Sequence, residues 1–142
     1  MSSHRKTQAF VLHDLWLPFE WADPAGIVFF GRAFSLAHQV FERFVVEELQ
    51  ISWVDWFQNP EWVAPVKEAF CSYHKPLYAG QRCTATLSLL EIRPRSLEVQ
   101  VICVQDLQTA WEARWVIVFC SQPNLKKITI PSSIQSKLSL QS

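Results

Sequence analysis

Apolar and polar positions alternate with a period of two through most of the second half of the chain. Cys83, Ala85, Leu87 and Leu89 alternate with Thr84, Thr86 and Ser88. Leu97, Val99, Val101 and Cys103 alternate with Glu98 and Gln100, and Trp111, Ala113, Trp115, Ile117 and Phe119 with Glu112 and Arg114. That period marks strands with one buried face. Turn formers separate them at Pro76–Gly80, Pro94–Ser96 and Asp106–Thr109. Residues 8–17, ended by Pro18, read as a first strand, and residues 63–74 as another, interrupted at Pro65. Between these two lies the one long helical pattern. Phe30, Phe34, Ala37, Phe41, Phe44 and Val45 follow at steps of four, three, four, three and one, which predicts a helix ending near Leu49. Val40 and Val46 widen the stripe, so the helix is expected to be covered on most sides. Residues 50–62 read as a connection, and the Ser-rich tail from Ile130 as a short helix or a frayed end.

Consecutive strands joined by short turns pair antiparallel. A single apolar helix must bury its stripe against the sheet they form. The expected class is α+β: one curved antiparallel sheet wrapped around a long helix. The length of 142 residues suits one domain over residues 1–142, with a core at about 8–131 and a tail at 132–142.

Composition narrows the function classes. Thirteen basic and thirteen acidic residues give zero formal charge, which argues against binding nucleic acid by neutralising phosphates. Seven tryptophans with only three glycines indicate a bulky interior or a bulky interface. That apolar excess points to a symmetric oligomer, expected here as a tetramer built from dimers. The run from Ile27 ends at Arg32, and the run to Cys120 follows Arg114, so neither approaches the ~18 residues of a membrane span. The basic start, Met1 to Lys6, is not followed by an apolar signal core, and a cytoplasmic protein is expected. Cys71, Cys83, Cys103 and Cys120 lie far apart in apolar runs without a Cys-x-x-Cys pair. They read as free thiols, with no metal site.

The stretch Asp23-Pro24-Ala25-Gly26-Ile27-Val28-Phe29-Phe30 places a carboxylate in a turn just before the helix. Free N–H groups at a helix start are donors suited to a developing oxyanion. A nearby Asp can then act as nucleophile or general base on a carbonyl held there. On composition alone, Asp23 reads instead as a turn former before Pro24.

This stretch resembles the signature of the 4-hydroxybenzoyl-CoA thioesterase family of hotdog-fold enzymes. His74-Lys75-Pro76-Leu77-Tyr78-Ala79-Gly80 is similar to the family's Pro-x-x-x-Gly turn, and Arg93-Pro94-Arg95-Ser96 lies where the family carries basic residues. Arg114 to Phe119, then Ile130-Pro131, resembles its last strand and exit, so the likeness runs over roughly residues 8 to 131. Ala37-His38-Gln39-Val40-Phe41-Glu42 is similar to a helix pattern of cyanobacterial and plant-type 1,4-dihydroxy-2-naphthoyl-CoA thioesterases, which serve phylloquinone synthesis. The resemblance implies a hotdog fold and hydrolysis of an aromatic acyl-CoA, 1,4-dihydroxy-2-naphthoyl-CoA first. A 4-hydroxybenzoyl-CoA or short-chain substrate, or a non-catalytic module binding an acyl thioester, stands as the alternative. It implies Asp23 as the catalytic carboxylate, the Phe30 N–H as the oxyanion donor, and Gly26 as the residue that lets the loop approach the substrate. No cofactor is implied beyond the coenzyme A of the substrate.

Other residues keep two readings. His38 is a substrate contact or a helix histidine bonded to a neighbouring carbonyl. Trp53, Trp56, Phe57 and Trp62 wall an aromatic acyl pocket or pack helix on sheet. Tyr78 joins the substrate-binding set through its turn. Arg93, Arg95 and Ser96 grip the coenzyme phosphates or form a solvated turn, with Lys126 and Lys127 next in line. His13 and His74 read as structural.

Overall fold

The alternating rows become the strands of one sheet, because each row has a single apolar face to bury. A computed structural model describes residues 9–141. The basic start at residues 1–6, Gln8 of the expected first strand and Ser142 of the tail lie outside the described residues. In chain order the elements are β1 (Phe10–Trp16), α1 (Arg32–Arg43), α2 (Trp53–Phe57), β2 (Trp62–Val63), β3 (Val66–Tyr73), β4 (Arg82–Ile92), β5 (Ser96–Gln105), β6 (Gln108–Val118), β7 (Cys120–Ser121) and α3 (Ser132–Ser139). The five long strands form an antiparallel sheet in the order β1-β4-β5-β6-β3, and β2 pairs with β7 beside it. The inward rows are those the alternation marks: Cys83 to Leu89, Leu97 to Cys103, and Trp111 to Ile117 at every second position are buried.

α1 continues through a π-helical stretch, Phe44–Glu48, before Leu49. Its buried face is Ala33, Leu36, Ala37, Val40, Phe41, Phe44 and Val45. The expected stripe is thereby corrected at its N-terminal end. Phe30 precedes the helix and is 66% exposed, Phe34 is 41% exposed, and Val46 is also exposed. The expectation of cover on most sides is corrected too, since one face of α1 packs on the sheet and the other is open. The connection after α1 contains α2, capped by Ser52, whose side chain accepts from the Asp55 N–H at 3.1 Å. Trp56 of α2 is buried edge-on against Phe41, Trp62 and Phe119, with ring centroids 5.6, 5.5 and 5.8 Å away. The tail folds rather than frays, because Ile134 and Leu138 of α3 are buried against the core. Cys83, Cys103 and Cys120 are buried free thiols and Cys71 is half-buried.

Candidate functional site

The loop before α1 is closed by its own backbone. The Asp23 N–H donates to the Ile27 carbonyl at 2.8 Å and the Gly26 N–H to the Asp23 carbonyl at 2.9 Å. Gly26 sits at φ +80°, a conformation that a side chain would strain. The Asp23 carboxylate closes the same turn: its Oδ1 accepts from the Ala25 N–H at 2.8 Å and the Ile27 N–H at 3.2 Å. Oδ2 accepts no hydrogen bond from the described residues. One oxygen therefore fixes the side chain, and the other is free for chemistry.

The loop is tied to its surroundings on both sides. The Val28 N–H donates to Leu77 at 2.7 Å, the Ala79 N–H to Gly26 at 3.1 Å, and the Phe29 N–H to Trp21 at 2.9 Å. A cleft of about 550 Å³ opens beside it. Asp23, Phe29, Phe30, Tyr73, Lys75 and Trp111 are among its walls. At the start of α1 the Arg32 and Ala33 N–H groups turn back onto Phe29 and Phe30. The Phe30 N–H has no acceptor among the described residues, and Gly31 at the N-cap brings no capping side chain. A carboxylate oxygen and an open backbone amide thus share one cleft, an arrangement suited to attack on a carbonyl whose oxygen gains charge.

Tyr73 holds the Phe30 peptide from the sheet side, its hydroxyl donating to the Phe30 carbonyl at 2.8 Å. Partial burial and a hydrogen bond with Cys71 push the phenol up to about 12, so it stays a donor at any ordinary working pH. A bulge in β6 at Ala110 fixes the neighbouring corner. The Ala110 carbonyl accepts from both His74 and Lys75 N–H, at 2.8 and 3.0 Å. The His74 imidazole pairs with Glu112 at 3.0 Å, while Lys75 makes no ion pair with a described residue. Neither Cys71 nor Cys103 is a ready nucleophile. Burial raises the first, and a hydrogen bond with Cys83 together with burial raises the second.

The other candidate residues scatter within one protomer. Tyr78 joins the site through its backbone, bridging Ile27, while its half-exposed ring is not among the cleft walls. Trp53 is 55% exposed and stands apart from the cleft. Trp56 belongs to the buried aromatic cluster and lines a separate cavity of about 220 Å³. His38 lines that cavity and an adjoining apolar one of about 190 Å³, in each case alongside Val66 and Trp115. Its Nδ1 bonds the Glu42 carboxylate at 2.8 Å, which replaces the neighbouring carbonyl expected as its partner.

The Arg93–Ser96 turn is at the far end of β4 from Gly80 and the Asp23 loop. At ~3.3 Å per residue the eleven residues of β4 separate them by roughly 30 Å. Arg93 is held by Glu91 and by Glu98, the latter at 3.4 Å. Arg95 is exposed and makes no ion pair with a described residue. Its carbonyl accepts the Phe119 N–H, and the next residues along meet the other two cations through backbone, Cys120 bridging Lys127 and the Ser121 N–H bonding the Lys126 carbonyl. Tyr73 and Trp111 escaped sequence reasoning because they read as ordinary strand residues, and Lys75 because nothing in its turn singled it out.

Comparison with known proteins agrees with this architecture. The 1,4-dihydroxy-2-naphthoyl-CoA hydrolase of Rippkaea orientalis is 31% identical over 54% of this chain, and the chain spans 55% of that relative's length. The hydrolase of the same name from Nostoc punctiforme is 25% identical over 86% of this chain and 75% of its own. The fold is that of the 1,4-dihydroxy-2-naphthoyl-CoA thioesterase from Synechocystis, with a TM-score of 0.83 at 19% identity, covering 93% of this chain and 96% of the other. A gentisyl-coenzyme A thioesterase also superposes, with a TM-score of 0.75 at 18% identity over 92% of this chain and 98% of the other. The sequence profile described as the thioesterase-like superfamily matches residues 17–138, from just after β1 through α1 and the other sheet strands into α3, and the chain belongs to that superfamily.

Proposed function

We propose that this protein is an acyl-CoA thioesterase of aromatic substrates, hydrolysing 1,4-dihydroxy-2-naphthoyl-CoA to 1,4-dihydroxy-2-naphthoate and coenzyme A in phylloquinone synthesis. The observation that carries the reading is the Asp23 carboxylate, tied through one oxygen and free at the other, in the same cleft as the open Phe30 amide. The similarity to named naphthoyl-CoA hydrolases supports the choice of acyl group. Asp23 adds an oxygen to the thioester carbon, by direct attack or by deprotonating water. Both routes place negative charge on the carbonyl oxygen at the Phe30 N–H. Collapse breaks the C–S bond and the coenzyme leaves as its thiol after taking a proton. On the direct route water then hydrolyses the acyl–Asp23 anhydride and restores the carboxylate, and on both routes the acyl group leaves as a carboxylate. The chemistry needs neither metal nor cofactor. The four free thiols suit a reducing compartment, the cytoplasm. Among the described residues no helix is long and apolar enough to cross a membrane.

The working form we propose is a homotetramer, a dimer of dimers. β3 is one of the sheet's two edges, and Val66, Phe70 and Tyr73 on it are 52, 54 and 50% exposed. Such an edge calls for a cover. Antiparallel pairing with a second copy sets the Tyr73 end of one β3 against the partner's Val66. That pairing carries the partner's His38 and the partner's Arg95 towards the Asp23 cleft, which would reunite residues that lie apart in one protomer. Light scattering at micromolar concentration is expected to give four times the chain mass, and a monomer would remove this shared site.

Hydrolysis rates over a panel of aromatic and aliphatic acyl-CoAs test the activity, with the naphthoyl thioester expected to lead in kcat/KM. No turnover on any member would leave the binding module instead. Arg95→Ala is expected to raise KM for the coenzyme A thioester about tenfold, because losing one exposed charge-assisted bond of about 1.4 kcal/mol is a factor of ten. The same variant should leave kcat unchanged, as well as KM for a truncated thioester lacking the nucleotide. An equal response from both substrates would place the coenzyme elsewhere.

A further inference from the structure

β5 turns four successive core-facing positions inward as Leu97, Val99, Val101 and Cys103, and the fifth is Gln105, only 7% exposed. An amide in an apolar row costs free energy unless its polar atoms are bonded. Here they are. Oε1 accepts from the Tyr78 N–H at 2.8 Å, and Nε2 donates to the Tyr78 carbonyl at 3.0 Å and to the Arg82 carbonyl at 3.3 Å. The side chain therefore pairs with Tyr78 as a neighbouring strand would, through one donor and one acceptor.

The other edge of the same segment carries the Asp23 loop. Ile27 bridges Tyr78, with the Val28 N–H on Leu77 and the Ala79 N–H on Gly26. Ile27 in turn donates its N–H to Asp23 Oδ1 and accepts the Asp23 N–H on its carbonyl. Tyr78 and Ile27 face each other without a direct bond, and the bonds across the bridge are those of their chain neighbours. Gln105 is thus linked to the Asp23 carboxylate through the backbone of the 77–79 and 26–28 segments. Gln105 is not among the cleft walls.

We propose that Gln105 is a positioning residue, which sets the Asp23 carboxylate through the Tyr78 segment without touching substrate. The kinetic part of this inference rests on the thioesterase reading. Gln105→Leu matches the apolar row and removes all three bonds. Gln105→Glu keeps an oxygen for the Tyr78 N–H but turns the donor arm into an acceptor facing two carbonyls. A misplacement of about 1 Å at a reacting group can cost a factor of about a hundred. In folded Gln105→Leu, kcat should therefore drop roughly ten- to a hundredfold, with KM within about twofold. Gln105→Glu should fall in between.

Amide hydrogen exchange gives a readout that does not depend on activity. Val28 and Ala79 should exchange faster in the folded variants than in wild type, while Val99 in the sheet centre keeps its wild-type rate. Unchanged exchange at Val28 and Ala79 would overturn the proposal, as would kcat within about twofold of wild type in both variants. If Gln105→Leu does not fold, Gln105→Glu decides. If neither folds, Gln105 is a determinant of the fold and the positioning role falls. A wild-type protein inactive on every thioester defeats the proposed reaction, and the exchange rates then decide the role of Gln105 alone.

Discussion

Asp23→Asn is expected to leave the fold in place and to lower kcat by a factor of roughly 10²–10⁴, the range that positioned acid–base groups contribute. The substitution suits the local geometry. Asparagine keeps an oxygen at the Oδ1 position, where it still accepts from the Ala25 and Ile27 N–H groups. The turn, with Gly26 at φ +80°, loses nothing it depends on. What changes is the free oxygen, which becomes an amide nitrogen unable to attack a carbon or take a proton from water. The loss should therefore fall on kcat, while KM and the melting temperature stay near wild type. Turnover by the folded variant close to wild type on its best substrate would remove Asp23 from the chemistry.

The largest expected effect on stability is at Trp56. Its side chain is 4% exposed and meets Phe41, Trp62 and Phe119 edge-on, the geometry aromatic pairs favour. Truncation to alanine leaves a cavity between α2, α1, Trp62 of β2 and Phe119, which joins β6 to β7. Large-to-small changes of this kind cost about 3–5 kcal/mol. Against a total of about 5–15 kcal/mol for a domain, that is a substantial share of the stability. Urea denaturation at fixed protein concentration should show the midpoint falling with the slope unchanged. A loss under about 1 kcal/mol would mean the cluster is not packed as described. Trp56→Phe, which keeps a ring in place, should lose less.

Secondary structure was legible wherever a single period governed a segment. The rows from Cys83 to Leu89, Leu97 to Cys103 and Trp111 to Ile117 face inward as their alternation requires, since a strand offers only two faces. The helix was legible as a helix, but its burial was not. Phe30 and Phe34 match the helical spacing and are nonetheless exposed, because a periodic pattern cannot tell a face turned to the sheet from one left open at the chain's own surface. α3 stayed ambiguous for a related reason. Its stability comes from burying Ile134 and Leu138 on a core that exists only once the rest has folded.

The candidate site divides along the same line. Asp23, Gly26 and Phe30 lie within eight consecutive residues, so the turn chemistry and helix start that join them are local and readable. Tyr73 meets Phe30 across 43 residues of chain, and Gln105 meets Tyr78 across 27. No local pattern announces either contact, and Gln105 even sits where its row calls for an apolar residue. The amino-acid sequence by itself determined the strands, the helix and the order in which they follow, through short-range periodicity and turn chemistry. Only the tertiary structure decided which strand became an exposed edge, where the basic turn lies relative to the carboxylate, and which buried amide holds the loop, because each depends on contacts between residues far apart in the chain.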